Sequence, residues 1–157
     1  MVEIRILDEH KDYDLLEIAW KWELAAPAWF REVQSAHKET FVSFIESAKT
    51  ELLTGIFIDN EISAVIRFVP QDGMHELHLM AKKGTDFNVL TEACKSIKDY
   101  VFDNGIEILG GWVAKINRPI IKLYKVLGFS HYGNRKTEGT VRGKPAEWLY
   151  YEARKHC

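Results

Sequence analysis

Residues 106–129, IEILGGWVAKINRPIIKLYKVLGF, decide the fold. Ile106 to Ile116 is apolar and β-rich and reads as a strand. Gly110-Gly111 loosens it, which marks either a bulge or a close approach by another part of the chain. Pro119 suits the first turn of a helix and Gly128 suits its exit, so Pro119–Leu127 reads as a short helix.

Working outward, Asn88–Asp103 has the clearest helical pattern, with Leu90, Ala93, Ile97 and Val101 as its buried stripe and Asn104-Gly105 as its stop. His75–Ala81 precedes it as a strand. Leu53–Ile58 and Ile62–Val69 are two more strands, joined by the hairpin signal Asp59-Asn60, and Pro70-Gln71-Asp72-Gly73 is the next turn. Val2, Ile4 and Ile6 alternate with Glu3 and Arg5 as a first strand. Asp8 opens a helix carrying Leu16, Ala19, Trp20 and Leu24, which Pro27 breaks; a second helix centres on Phe41, Phe44, Ile45 and Ala48. After Gly128 a final β-hairpin remains, with the mixed charges of Asn134 to Lys144 as its solvated tip. The order is β-α-α-β-β-β-α-β-α-β-β, an α/β (α+β) pattern in a single domain over residues 1–157.

Composition narrows the function classes. A formal charge of −2 and no basic stripe argue against nucleic acid as a partner. No apolar run is long enough to span a bilayer, and Glu3 and Arg5 interrupt any leader, so no membrane partner and a cytoplasmic location are expected. Cys94 and Cys157 make no disulfide framework, and no third ligand stands at metal spacing beside His75 and His78.

The element order, with Ile116-Asn117 before Leu123-Tyr124 and Leu127-Gly128-Phe129, resembles the GNAT superfamily of N-acetyltransferases. The likeness covers essentially the whole chain and is most specific from Leu77 to Phe129. It implies a three-layer domain, a mixed twisted sheet of about seven strands flanked by about four helices. It also implies that the fourth and fifth strands splay and that acetyl-CoA lies in the gap. The backbone of Leu79, Met80 and Ala81 would pair with the pantetheine arm like an added strand. Lys82, Lys83, Gly84 and Thr85 would meet the pyrophosphate. Asn117 would bond the cofactor amides, and Tyr124 would hydrogen-bond the sulfur and protonate the leaving thiolate.

The family's pyrophosphate pattern is Arg or Gln, two residues, Gly, one residue, then Gly or Ala. Here it falls on Ala81 to Asp86, and only Gly84 survives. Asp86 stands near a helix start, where a carboxylate can cap the N–H groups that would otherwise attract phosphate. Glu76 and His78 share a sheet face, and either is a candidate general base; solvent-facing polar residues would look the same. Trp29 and Phe30, in the first interhelical connection, are candidates for the acceptor wall. Cys94 reads as an inert core thiol.

Two functions follow. One is acetyl-CoA-dependent transfer of an acetyl group to a primary amine, on a small molecule or a peptide, by direct attack. The other is a non-catalytic binding or assembly module of the same fold, favoured by a phage origin, since viral chains with eroded loops of this type exist in the wider family. A homodimer is compatible with either.

Overall fold

The computed structural model describes residues 1–26 and 40–155. Seven strands form one sheet in the order β1-β2-β3-β4-β5-β7-β6. They are β1 (Val2–Leu7), β2 (Leu52–Ile58), β3 (Glu61–Gln71), β4 (Met74–Ala81), β5 (Ile108–Ala114), β6 (Ser130–Val141) and β7 (Lys144–Arg154). Four helices stand among the described residues: α1 (Tyr13–Leu24), α2 (Phe41–Ala48), α3 (Phe87–Asp103) and α4 (Arg118–Val126). All pairings are antiparallel except β4 with β5.

Local chemistry sets these boundaries. Asp59 and Asn60 take positive φ, 50° and 69°, as the tight hairpin between β2 and β3 requires. At the start of α2, Thr40 accepts from the Ser43 N–H while the Ser43 hydroxyl accepts from the Thr40 N–H. We expect Thr40→Ala to lower stability by about 0.5–2 kcal/mol. Urea unfolding would measure the loss, and an unchanged midpoint would show the cap to be energetically silent.

Two layers cover the sheet. On one face, Leu90, Ala93, Cys94, Ile97 and Val101 of α3 pack with Ile56, Ile66, Phe68, Leu77 and Leu109. On the other, Leu16 and Ala19 of α1 and Phe44 and Ala48 of α2 pack with Leu53, Phe57, Val65 and Met80. The stripe expected from the sequence is the stripe that α3 buries. The outer hairpin differs from expectation: Asn134 to Val141 belong to strand β6, irregular in its pairing with β7, and only Arg142-Gly143 form the tip.

Candidate active site

The sheet opens between β4 and β5. Their pairing consists of His75 with Leu109 and Glu76 with Gly110, and beyond Glu76 the two strands no longer pair. Tyr124 marks the split. Its hydroxyl donates to the Leu77 carbonyl at 3.4 Å, while Lys82 N–H donates to Ser63 on the β3 side. Backbone direction alternates along a strand, so Leu77, Leu79 and Ala81 turn their N–H and C=O groups toward the gap. Met80 turns its backbone to β3 and buries its side chain in the α1–α2 layer. Of the trio expected to pair with a pantetheine arm, Leu79 and Ala81 turn their backbone groups to the gap and Met80 turns its own to β3.

Gly110-Gly111 makes the close approach and no bulge, since β5 pairs with β7 without a break in register. A Cβ at Gly111 would collide with the Tyr124 hydroxyl, and one at Gly110 with Met74 and the Tyr150 hydroxyl. Tyr124 is held by stacking on Phe129, ring centroids 5.0 Å apart, and by Tyr151 at 5.8 Å. The exit of α4 fixes its backbone, as Phe129 N–H donates to the Tyr124 carbonyl and Lys98 Nζ to that of Leu127. Burial, then the nearby Glu76 carboxylate, holds the Tyr124 hydroxyl well above the ordinary tyrosine pKa. It stays protonated, a hydrogen-bond donor at the split. The same burial pushes the Cys94 thiol up to about 12, so that thiol is no nucleophile near neutral pH.

The opposite face of the split is polar. His78 Nε2 lies 3.2 Å from Glu76 Oε1, with His78 the more exposed of the two. His78 is in register with Arg67 of β3, whose guanidinium forms a two-pronged pair with the buried Glu51 carboxylate at 2.8 and 2.9 Å and lies over the Phe44 ring. Across β5, Tyr150 donates to Glu152 at 2.9 Å, and Arg154 binds the other oxygen of Glu152. Burial, then this hydrogen bond, raises the Tyr150 hydroxyl above its ordinary pKa. Trp112 packs against Tyr150, ring centroids 5.3 Å apart. Sequence reasoning missed Arg67, Trp112, Tyr150 and Glu152. Period-two alternation on β5 and β7 could have aligned the last three, but their register with Glu76 and His78 needed the sheet order.

The connection from β4 to α3 departs most from the family pattern. Lys82 to Thr85 form a closed turn: Thr85 N–H donates to the Lys82 carbonyl, and Thr85 Oγ1 bonds the Lys82 and Ser63 carbonyls. Gly84 takes φ +88°, a left-handed conformation that glycine adopts without strain. Asp86 caps α3, one carboxylate oxygen accepting from Asn88 N–H at 2.8 Å and Val89 N–H at 3.0 Å. The helix end that would attract phosphate thus already holds an anion. Lys82 and Lys83 are exposed beside it. Asn117 stands at the start of α4 beyond β5, half-buried, and its side chain makes no capping bond. Trp29 and Phe30 lie outside the described residues.

No protein-family model matches the chain, and no curated protein matches it in sequence. Solved structures do resemble it. An N-acetyltransferase from Staphylococcus aureus Mu50 superposes with a TM-score of 0.79 at 13% identity, covering 99% of each chain. A GNAT-family acetyltransferase from Streptococcus pneumoniae gives 0.74 at 14%, over 98% of this chain and 99% of that one. The Campylobacter jejuni N-acetyltransferase PseH, in complex with acetyl coenzyme A, gives 0.67 at 20%, over 98% and 99%. With the β4–β5 split and the position of Tyr124, these likenesses establish the architecture: the chain has the fold of the GNAT N-acetyltransferases.

Proposed function

We propose that this protein is an acetyl-CoA-dependent N-acetyltransferase acting on a primary amine by direct attack. The observation that carries the reading is the split itself. A buried tyrosine donor stands on one face of it and a carboxylate–imidazole pair on the other, where the unpaired edge of β4 begins.

The residues fit the thioester arm of such a donor. Leu79 and Ala81 present backbone groups to the gap, and Asn117 offers a side-chain amide at its far side. For the pyrophosphate the fit is different: Lys82 and Lys83 supply the charge, because Asp86 occupies the amides of the α3 terminus. Bound there, acetyl-CoA would supply an activated acetyl thioester. Tyr124 would donate a hydrogen bond to the departing sulfur, and its raised pKa keeps the hydroxyl protonated for that role. Glu76, directly or through His78, accepts the proton that the attacking amine loses. Glu152 and the Trp112–Tyr150 pair supply negative charge and aromatic surface on the side from which an amine would approach.

The Asp86 cap favours a second reading, a non-catalytic module that keeps the fold and has lost its cofactor. Titration calorimetry with acetyl-CoA separates the two. We expect the parent to bind acetyl-CoA, and Asp86→Gly to bind it roughly two- to thirtyfold more tightly. That range corresponds to the 0.3–2 kcal/mol typical of charges at helix starts. If a folded Asp86→Gly variant shows no binding, the enzyme reading fails and the module remains.

A further inference from the structure

We infer that β1 is a dimerisation strand, pairing antiparallel with β1 of a second copy so that two sheets become one continuous sheet. β1 ends the sheet, and among the described residues no strand pairs with its outer edge. Met1 accepts a hydrogen bond from Asp59 N–H, so the backbone groups of the odd-numbered residues face β2. Val2, Ile4 and Ile6 therefore turn their N–H and C=O groups outward. The same three residues are 45%, 39% and 56% exposed and form an apolar row on one face. On the other face of the strand, Glu3 and Arg5 are both about half exposed, side chains 54% and 48%, and pair with each other at 3.2 Å, with Arg5 over the Phe57 ring; the partner's charges would share in that pair.

The sequence of β1 selects its own register. A two-fold axis through Ile4 sets Val2 opposite the partner's Ile6 and Ile4 opposite the partner's Ile4, each pair exchanging both backbone hydrogen bonds. The same register sets Glu3 opposite the partner's Arg5, and Arg5 opposite the partner's Glu3. Moving the axis to Glu3 or Arg5 would put like charges face to face and shorten the paired stretch. Edge strands commonly carry charge to repel a neighbour; here the two charges are opposite and spaced to attract a copy. The two apolar rows would also merge across the axis and leave water together. The β4–β5 split lies inside the sheet, away from this edge, and stays open in the dimer.

Sedimentation velocity over a dilution series tests this on the whole chain, with circular dichroism confirming that each variant is folded. We expect the parent to be a dimer, Arg5→Glu to weaken it about tenfold or more, and Glu3→Arg combined with Arg5→Glu to restore it. Ile4→Lys, at an exposed side chain on the axis, should give a folded monomer. A monomeric parent at high concentration overturns the proposal. So does a dimer that Arg5→Glu and Ile4→Lys leave intact, or a double charge exchange that fails to restore association.

Discussion

Replacing Gly111 by valine is expected to destabilise the protein by about 3 kcal/mol or more and, on the proposed function, to abolish activity. A Cβ at this position would fall inside the van der Waals contact of the Tyr124 hydroxyl and 3.0 Å from Cζ. The ring has no room to withdraw, since it is buried between Phe129 and Tyr151. Either β5 shifts or Tyr124 is expelled, and each disturbs the packing of α4 on the sheet. For a chain of this size the loss corresponds to a fall in Tm of roughly 6–12 °C. Removing the hydroxyl should relieve part of the clash, so Gly111→Val with Tyr124→Phe should cost less than the sum of the two single changes. Thermal melts of the three variants measure this coupling. Strict additivity would mean that Tyr124 is not what Gly111 accommodates.

Tyr124→Phe is expected to lower turnover about a hundredfold while changing acetyl-CoA affinity little. In the proposed mechanism the hydroxyl acts on the sulfur as it departs, so its loss would appear in kcat. Among the described residues its hydroxyl makes one long bond, 3.4 Å to the Leu77 carbonyl, so the variant should fold with at most about 1 kcal/mol lost. Burial, reinforced by the Glu76 carboxylate, holds the hydroxyl above the ordinary tyrosine value. Deprotonation of Tyr124 should therefore produce no alkaline fall in rate below about pH 10 in the parent. Steady-state kinetics across pH, on an amine that the parent acetylates, would read both effects. Undiminished turnover in the variant would remove Tyr124 from the mechanism.

Much of the candidate site was legible because the relevant signals are local. Asp86 was readable as a cap from its place just before the α3 pattern, and both its N–H donors are those that a cap takes. Pro119 and Gly128 bracketed α4 and so placed Tyr124 about two turns beyond Asn117. Glu76 and His78 were known to share a face from their spacing alone. The ambiguity at Gly110-Gly111 was equally local in origin: a missing side chain says that something comes close, without saying what.

The sequence by itself determined the element order, the α3 stripe, the hairpin at Asp59-Asn60, the capped start of α3 at Asp86 and the charges on β1. These follow from periods of 3.6 and 2 and from turn and cap chemistry, each of which acts over a few residues. Only the tertiary structure decided that Tyr124 fills the split beside Gly111 and that Met80 turns away from it. It alone joined Tyr150 and Glu152 to Glu76 across β5. The same holds for Arg67, whose pairing with Glu51 is buried rather than solvated. Those facts depend on sheet order and register between residues far apart in the chain. Such contacts are fixed by how two layers pack on a common sheet, which no local pattern encodes.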